Sequence, residues 1–289
     1  MYRVFKFKGL PVITSWVAEE LVRVADGGGG VTEVTLDLGL SKSEVLVKGG
    51  SVVIGGYEVS IDEVKGVVGD DAVYVVTDSG LVPLKFYDEG LRRYYKLRAL
   101  GPNVAPTLEI NGIHMHRIEG TDPWSDSLSK VRSLGRLRGG RVLDVCTGLG
   151  YTASLAIKYG ASEVVTIEVD DNVLKIAEYN PWSKGLEEAK IILGDATEVI
   201  HSLSNSSFTH VIHDPPRFEV AGELYSLEFY RELLRVLRPR GKLFHYVGRP
   251  RWRRGVGIVK GVKERLVRAG FVVVKWVEEA QGFLAIKPS

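Results

Sequence analysis

The chain has two successive patterns of hydrophobic and polar residues, and the boundary between them lies near residues 88 to 125. Before that stretch, short Val-rich runs alternate with turn sequences such as Gly-Gly and Asp-Ser-Gly, which is typical of a small β domain. After residue 140, apolar strand-like runs alternate with helix-like segments, a pattern that makes a mostly parallel sheet covered on both faces. We therefore predict a β-rich domain over residues 1 to 87, a connecting helix and linker over 88 to 125, and an α/β domain over 126 to 289.

The β-rich segment is predicted to contain an early helix over residues 14 to 25. Its predicted strands are Val34 to Leu38, Val45 to Val47, Val52 to Ile54, Tyr57 to Ile61 and Val73 to Thr77. Gly55 and Gly56 separate two of these runs as a two-residue hairpin turn should, because both central positions need a positive φ that glycine adopts freely. Basic residues interleave with Leu and Tyr from Asp88 to Leu100, which predicts an amphipathic connecting helix.

The α/β segment is predicted to end in an antiparallel hairpin. Its predicted strands are Arg141 to Cys146, Glu163 to Val169, Lys190 to Leu193, His210 to His213, Lys242 to Val247, Phe271 to Val277 and Phe283 to Lys287. Its predicted helices are Thr152 to Tyr159, Asn172 to Tyr179, Leu227 to Leu237 and Val262 to Ala269. Only residues 279 to 282 join the last two strands, so these two must pair in opposite directions. The predicted fold class is α/β, with a seven-stranded sheet.

A tight glycine turn follows the first strand of this sheet. Asp144-Val-Cys-Thr-Gly-Leu-Gly150 lies between a buried strand and a helix, where glycine lets the backbone approach a nucleotide-like ligand closely. Glu168 closes the next strand, and a carboxylate there can accept both ribose hydroxyls. The alternatives are a plain tight turn and a helix N-cap, although Asp170 or Asp171 fills the capping role better than Glu168 does. The glycine turn together with Glu168 favours a nucleotide-like cofactor.

The segment Asp214-Pro215-Pro216-Arg217-Phe218 comes directly after the fourth strand. Proline fixes its own φ and drives the preceding residue toward extended geometry, so Asp214 is expected at the carboxyl end of its strand, where ligands of such sheets bind. The Asp214 carboxylate and the Pro215 carbonyl could then accept the protons of an amino group and direct its lone pair at an electrophile. The alternative is a turn that merely follows a strand.

Residues 121 to 289 resemble the class I S-adenosylmethionine-dependent methyltransferases, and most of all the predicted archaeal methyltransferases often labelled spermidine-synthase-like. The resemblance rests on the glycine motif that begins at Asp144, on Glu168, on Gly194-Asp195-Ala196 and on Asp214-Pro-Pro, in that order. It implies a Rossmann-like sheet with one antiparallel strand at its C-terminal end, and S-adenosylmethionine as the cofactor.

The resemblance also implies which residues hold the cofactor. Asp195 would contact the adenine, with a helix N-cap as its alternative role. The segment from Thr121 to Ser127 would cover the methionine end, with a capped helix start and a packed tryptophan as the alternative. Cys146 departs from the family, because it stands where the first glycine of the motif is usual. The predicted cofactor-binding residues are Thr121, Ser127, Asp144, Cys146, Thr147, Gly148, Gly150, Glu168, Val169, Asp195 and Ala196, with Lys130 as a further candidate.

The Asp214-Pro-Pro motif is similar to the Asp/Asn-Pro-Pro-aromatic signature of methyltransferases that modify amino groups of adenine, guanine or cytosine. Here Arg217 takes the position of the aromatic residue. Phe218 could stack on a base instead, and Arg217 could stack on a base or pair with a phosphate. The predicted catalytic residues are Asp214, Pro215, Pro216 and Phe218.

Charge is distributed unevenly along the chain and suggests where a polyanion would bind. Acidic residues outnumber basic ones in residues 1 to 90, whereas basic residues dominate 231 to 268. Arginines interleaved with an aromatic residue suit phosphate contacts and base stacking. A solvated basic loop, or arginines that pair with the acidic N-terminal domain, are the alternatives. The predicted substrate-binding residues are Arg217, Arg249, Arg251, Trp252, Arg253 and Arg254.

Composition argues against several other classes of protein. A single cysteine excludes an internal disulfide, and neither a signal peptide nor an apolar run of about 18 residues is present, so we expect a cytoplasmic protein without a membrane partner. No Cys or acidic residue stands at ligand spacing from His114-x-His116, so no metal is expected. His213 is expected to be a packed neighbour of Asp214, and no base for Cys146 can be identified.

These features together predict a methyltransferase that uses S-adenosylmethionine and modifies an amino nitrogen of a nucleic-acid base, with RNA the favoured substrate. An aminopropyltransferase that uses the decarboxylated cofactor on a polyamine is the first alternative. It should present clustered carboxylates to its cationic substrate, and Glu219, Glu223 and Glu228 keep it open. A non-catalytic binding protein of the same fold is the second. For the N-terminal domain, substrate selection, capping of the active site and formation of a homodimer all remain open.

Overall fold

The protein is described here from a computed structural model that covers residues 1–248 and 253–289. These residues form two compact units. The first, which we call the sheet unit, comprises Met1–Phe5, Ser125–Asp171 and Gly185–Ser289. The second, which we call the β-rich unit, comprises Lys6–Trp124 and Asn172–Lys184.

The secondary structure is numbered in chain order. The strands are β1 (Tyr2–Arg3), β2 (Val12–Ile13), β3 (Gly30–Val34), β4 (Ser43–Lys48), β5 (Ser51–Ile54), β6 (Tyr57–Ser60), β7 (Tyr74–Thr77), β8 (Gly80–Pro83), β9 (Lys85–Asp88), β10 (Arg93–Arg98), β11 (Thr107–Ile110), β12 (Ile113–His114), β13 (Arg141–Val145), β14 (Glu163–Glu168), β15 (Lys190–Leu193), β16 (Phe208–His213), β17 (Leu237–Tyr246), β18 (Val272–Val277) and β19 (Gly282–Ile286). The α-helices are α1 (Ser15–Asp26), α2 (Ile61–Lys65), α3 (Pro123–Ser133), α4 (Tyr151–Lys158), α5 (Asp171–Ala177), α6 (Ala196–Ser202), α7 (Leu227–Val236) and α8 (Arg253–Ala269). Short 3₁₀ helices lie at Pro181–Glu188 and Gly222–Tyr225.

The sheet unit is built on one large sheet with the strand order β1-β15-β14-β13-β16-β17-β19-β18. Strands β13 to β17 run parallel to one another, whereas β19 is antiparallel to both β17 and β18. Parallel strands covered on both faces are apolar throughout, and Val142, Leu143 and Val145 of β13 are accordingly fully buried. The predicted α/β fold with its terminal hairpin is confirmed. Strand β1, which pairs antiparallel with β15 at the edge, was not predicted.

The β-rich unit consists of three small sheets, β3-β4-β5-β6, β2-β7-β8 and β12-β11-β10-β9. Val17, Ala18 and Leu21 of α1 pack into the core that the first sheet shares with the helix. The predicted helix over residues 14 to 25 is confirmed by α1. The predicted hairpin turn is also confirmed, because Gly55 and Gly56 join β5 to β6 with φ values of 58° and 93°.

The predicted helix from Asp88 to Leu100 is wrong. This segment instead forms the end of β9, a turn and β10, with Arg93 opposite Asp88 and Tyr95 opposite Phe86. The Asp88 side chain accepts a hydrogen bond from the Leu91 backbone N–H at 2.8 Å and closes the turn. Burial alternates along β10 from Tyr95 to Leu97, as it does in a strand with one covered face.

The predicted strand from Val34 to Leu38 is displaced toward the N-terminus. Strand β3 ends at Val34, where Val34 pairs with Ser43 of β4. Beyond it, the Asp37 carboxylate accepts a hydrogen bond from the backbone N–H of Ser41 at 2.8 Å, and Leu38 adopts a positive φ of 58°. These contacts make a turn, because they compete with the hydrogen bonds that would extend the strand.

None of the helices in the described parts of the chain has both the length and the apolar character that crossing a bilayer requires.

Candidate active site

The glycine turn lies at the carboxyl end of β13 and holds three residues in left-handed backbone conformations. Cys146, Gly148 and Gly150 have φ values of 72°, 55° and 74°. The backbone N–H groups of Cys146 and Thr147 both donate to the Ile167 carbonyl, at 3.1 Å and 3.0 Å, and tie the turn to β14. Cys146 therefore adopts a backbone conformation that glycine adopts readily. Because cysteine has a Cβ, this conformation is strained.

The two glycines of the turn face different surroundings. A Cβ added to Gly148 would have no atom within 4 Å, so this side of the turn is open to a ligand. A Cβ added to Gly150 would lie 2.5 Å from Cδ2 of buried Leu186 and even closer to its Cδ1 and Cγ. Gly148 is thus suited to close approach by a cofactor, and Gly150 to close packing of the helix that follows.

Asp144 lies beneath the turn rather than on its open side. Its side chain is fully buried, and its oxygens accept hydrogen bonds from the Thr152 and Thr166 hydroxyls, both at 2.8 Å. Burial raises the pKa of Asp144 to about 7, although the two threonine hydroxyls lower it. The carboxylate is therefore enclosed and supports the turn from inside, and the cofactor role of Asp144 stays a prediction.

Glu168 faces the turn from the end of β14. Its Oε2 accepts the Gly148 backbone N–H at 2.8 Å, and its Oε1 accepts those of Val169 and Asp170 at 3.0 Å and 3.1 Å. Burial raises the pKa of this carboxyl to about 7, against the lowering effect of the Gly148 N–H. A carboxylate offers about four acceptor positions, so Glu168 keeps room to accept a ribose hydroxyl, and the predicted contact with both hydroxyls stays a prediction.

Asp195 lies next to Glu168 across the sheet edge, because the Gly194 N–H donates to the Glu168 carbonyl at 2.8 Å. Its Oδ1 accepts the backbone N–H and the hydroxyl of Thr197, at 2.8 Å and 2.6 Å, and so caps α6. The exposed side chain keeps Oδ2 for another donor. The capping role and the predicted contact with adenine therefore use different oxygens and are compatible.

Asp214 follows β16 and forms an ion pair with Lys130, a contact that the sequence does not predict. Its backbone N–H donates to the Val145 carbonyl at 3.3 Å, one residue before the glycine turn. Its Oδ2 lies 2.6 Å from Nζ of Lys130, and the same Nζ lies 2.8 Å from Oδ2 of Asp126. Burial raises the pKa of Asp214, whereas the Lys130 ammonium acts in the opposite direction.

Comparisons with known proteins agree with this geometry. Residues 142–241 match the family model described as a methyltransferase domain. The uncharacterized protein MJ1233 of Methanocaldococcus jannaschii is 44% identical over 286 residues, which span 96% of this chain and 95% of that protein. The chain belongs to the family of this archaeal protein. The predicted resemblance to archaeal class I methyltransferases is confirmed, and S-adenosylmethionine is confirmed as the cofactor of the methyltransferase domain.

Two further similarities involve polyamine enzymes. Polyamine aminopropyltransferase 2 of Streptomyces coelicolor is 29% identical over 142 residues, which cover 46% of this chain and 26% of that protein. The spermidine synthase of Thermotoga maritima has a TM-score of 0.53 and 16% identity, over 70% of each chain. At this identity the structural likeness shows the fold alone.

In this methyltransferase domain, the Asp-Pro-Pro loop is held from behind by aromatic residues. The Tyr225 hydroxyl donates to the Pro216 carbonyl at 2.9 Å. Phe218 is 40% exposed and meets the Tyr225 ring edge-on, with centroids 5.4 Å apart. Arg217 is exposed. Phe218 is thus available for stacking from one side while it packs on Tyr225 from the other.

His213, the residue before Asp214, is a packed neighbour as predicted. It is fully buried, its Nε2 lies 2.9 Å from the Leu224 carbonyl, and its ring is 4.4 Å from that of His245. Burial lowers the pKa of His213 to about 3, so the ring is neutral near neutral pH. Burial also raises the pKa of the Cys146 thiol well above its ordinary value, which disfavours the reactive thiolate.

The remaining predicted cofactor-binding residues differ in how far they are exposed. Ala196 and Ser127 are buried, and Val169 is 64% exposed. Thr147 turns its side chain inward, with its hydroxyl 2.6 Å from that of Thr166, and its cofactor role stays a prediction. Thr121 belongs to the β-rich unit, and its cofactor role stays a prediction.

The helix that follows Thr121 has the capped start that was the alternative for this segment. The Asp122 carboxylate accepts the Trp124 backbone N–H at 2.9 Å, and the Trp124 ring packs edge-on against Trp182. The predicted substrate-binding residues Arg249, Arg251 and Trp252, and the side chains of Arg253 and Arg254, lie outside the described residues.

The histidines of the β-rich unit have polar partners of their own. His114 Nε2 lies 3.1 Å from an Arg98 guanidinium nitrogen, and His116 Nδ1 lies 3.1 Å from the Thr107 hydroxyl. Over residues 1–248 and 253–289, no three His, Cys, Asp or Glu side chains are grouped as metal ligands would be.

Proposed function

We propose that the protein transfers the methyl group of S-adenosylmethionine to an amino nitrogen of a nucleic-acid base, with RNA as the favoured substrate. The observation that carries this proposal is the position of Asp214, whose backbone N–H bonds to Val145 immediately before the glycine turn. The carboxylate of an Asp-Pro-Pro motif is thereby fixed beside the cofactor turn, where an acceptor nitrogen must be presented.

The residues around the turn fit the cofactor. The open side of Gly148 admits it, Glu168 can accept a ribose hydroxyl, and Oδ2 of the exposed Asp195 can accept an N–H of the adenine amino group. When bound, S-adenosylmethionine supplies an electrophilic methyl group on its sulfonium. These side chains hold and orient the cofactor, and Asp214 is left for the acceptor.

Asp214 would act on the acceptor nitrogen mainly by position. The lone pair of a base amino group is delocalised into the ring, so the nitrogen needs an acceptor that holds its N–H and turns its lone pair toward the methyl group. The Asp214 carboxylate supplies that acceptor and can take the proton that the nitrogen releases. Phe218, 40% exposed, is placed to stack on the same base.

Charge supports RNA as the source of that base. Basic residues dominate 231 to 268, which includes the segment after β17, and phosphate contacts supply most of the affinity of such proteins. Replacement of Arg217 by alanine should lower RNA affinity and make it less dependent on salt, with the slope of log K against log salt reduced by about 0.7 for one lost contact to a single strand.

The direct test is transfer of a labelled methyl group to total RNA by the wild type, Asp214→Ala and the matched control Glu219→Ala. Glu219 lies in the same loop, is exposed, and should be dispensable. We expect Asp214→Ala to lose about 10²- to 10⁴-fold in rate while it still binds the cofactor. Equal incorporation by the wild type and Asp214→Ala would remove Asp214 from catalysis. Methylation of DNA or protein instead of RNA would overturn the substrate assignment.

The second candidate is an aminopropyltransferase that acts on a polyamine. It is favoured by the 29% identity to the Streptomyces coelicolor enzyme over 142 residues. Isothermal titration with S-adenosylmethionine and with its decarboxylated analogue distinguishes the two candidates. Tight binding of the decarboxylated form alone would favour the aminopropyltransferase, and binding of neither would leave a non-catalytic protein of the same fold.

A further inference from the structure

A buried cluster beside the Asp-Pro-Pro loop is built as a binding site for an alkylammonium group. Two carboxylates, Asp126 and Asp214, lie 2.8 Å and 2.6 Å from one nitrogen, and the face of the Tyr246 ring lies 4.2 Å from it. Carboxylates and an aromatic face are the groups that bind a primary ammonium in proteins. The nitrogen they surround here is Nζ of Lys130. We call these four residues the ammonium cluster.

The chain holds Lys130 in this place from two sides. Asp126 precedes it by four residues on α3, so the two side chains lie on one face of the helix. Asp214 reaches the same nitrogen from the end of β16, 84 positions along the chain. The Lys130 side chain is only 5% exposed, whereas that of Asp214 keeps 21%. The ammonium is therefore enclosed, and the carboxylate that binds it still opens toward solvent.

The charges in the cluster keep the lysine protonated. Burial lowers the pKa of Lys130, but the carboxylates of Asp214 and Asp126 outweigh it and raise the pKa above its ordinary value. Among the described residues, the titratable groups that interact electrostatically with Asp214 are Lys130 and Asp126 from α3, Asp144 from β13, Cys146 and Tyr225. Among these, Lys130 alone carries a positive charge.

We propose that Lys130 occupies the position where a substrate ammonium would bind to Asp214, so that the site accepts a neutral nitrogen and excludes protonated amines. A protonated amine that approached Asp214 would meet a like charge on the same carboxylate. To displace Lys130 would leave a buried cation without one of its partners, which is strongly unfavourable. A neutral amino group needs only a free acceptor lone pair, which the exposed side of Asp214 provides.

This inference rests on the proposed function and narrows it, because base amino groups are neutral and polyamines are not. It makes Lys130 a residue that determines specificity by occupying a subsite. Among the residues that the sequence singled out, Lys130 was named only as a candidate near the methionine end of the cofactor. Its contact with Asp214 gives it a different role.

The test measures amine binding and needs no methyl acceptor. Putrescine and n-butylamine are titrated into the wild type, Lys130→Ala and the control Lys158→Ala, which removes an exposed lysine of the same unit. We expect no binding to the wild type or the control. Lys130→Ala should bind n-butylamine at least about tenfold more tightly than the wild type, since the amine then replaces the missing ammonium. The double variant Lys130→Ala/Asp214→Asn should lose most of this gain.

Two outcomes would overturn the proposal. One is putrescine binding to the wild type that Asp214→Asn abolishes, because the cation subsite would then be available with Lys130 in place. The other is a folded Lys130→Ala that gains no amine binding. If Lys130→Ala does not fold, the wild-type titration decides alone. Methyl transfer to RNA is measured in a separate experiment. Failure of the proposed function and failure of the inference about Lys130 can therefore be told apart.

Discussion

Replacement of Gly150 by alanine should destabilise the protein without disturbing the cofactor surface. Gly150 has a φ of 74°, where an alanine costs about 1–2 kcal/mol. The added Cβ would also lie 2.5 Å from Cδ2 of Leu186, which is fully buried and cannot move aside without repacking. Such overpacking costs about 1–3 kcal/mol. We therefore expect the free energy of unfolding to fall by about 2–5 kcal/mol.

Gly148→Ala is the matched control, because the two glycines share a turn and a positive φ but differ in surroundings. A Cβ at Gly148 meets no atom within 4 Å, so only the backbone strain of about 1–2 kcal/mol should appear in the unfolding free energy. The same Cβ enters the open side of the turn, and S-adenosylmethionine should bind at least about tenfold more weakly. Gly150→Ala, once folded, should bind it as the wild type does.

Denaturant unfolding and isothermal titration of the two variants measure both effects. A Leu186→Ala background should remove the steric part of the Gly150→Ala penalty and reveal a coupling of about 1–3 kcal/mol between these positions. Equal destabilisation by Gly148→Ala and Gly150→Ala would refute the assignment of the two glycines. Unchanged cofactor affinity in Gly148→Ala would refute the idea that the open side receives the ligand.

Three further predictions follow from the buried groups of the site. Because the pKa of Glu168 is raised to about 7 by burial, S-adenosylmethionine affinity should fall as the pH drops below about 7, by up to about tenfold per unit, and Glu168→Gln should abolish this dependence in titrations. The pKa of Asp144 is likewise raised, from 3.8 in the unfolded chain to about 7 in the folded protein. The protonated carboxyl therefore contributes fully to the free energy of unfolding below pH 3.8, and this contribution is lost as the pH rises through 7. Asp144→Asn should make the free energy of unfolding less dependent on pH between 3.8 and 7. Tyr225→Phe removes the 2.9 Å bond to the Pro216 carbonyl, and should lower kcat with unchanged cofactor affinity and a stability loss of about 1 kcal/mol; a fall in affinity alone would contradict a role in positioning the loop.

Local signals allowed the cofactor turn to be predicted from the sequence. A buried strand, a glycine turn and a helix follow one another within a few residues, and Glu168 closes the neighbouring strand. Cys146 departs from that pattern, but its φ of 72° shows that the backbone keeps the conformation of a glycine. Side-chain direction was harder to predict, because Asp144 and Thr147 turn inward to the threonines beneath the turn.

The segment after Asp88 shows why periodicity failed in the β-rich unit. Apolar and basic residues interleave there in a way that fits one face of a helix and also one face of a short strand. The strand is selected by the turn that Asp88 closes and by pairing with β9 and β11, whose residues lie mostly outside the segment. Tertiary pairing of this kind overrides local propensity.

The ammonium cluster could not be predicted for a different reason. Lys130 and Asp214 are 84 positions apart, and neither has a sequence pattern that points to the other. Only the arrangement of α3 against the carboxyl ends of β16 and β17 brings them together. Contacts that depend on topology in this way become visible once the sheet order is known.

The short strand β1 links the order of synthesis to the order of folding. Tyr2 pairs with Ile192 of β15, so roughly 190 residues, or about 10–40 s of translation, separate the two partners on the ribosome. During that interval the Lys6–Trp124 segment can close its own sheets, because all of their strands lie within this segment. The strand made first among those of the large sheet can therefore be placed only after β15 has emerged, at the edge of a sheet that already holds its cofactor turn.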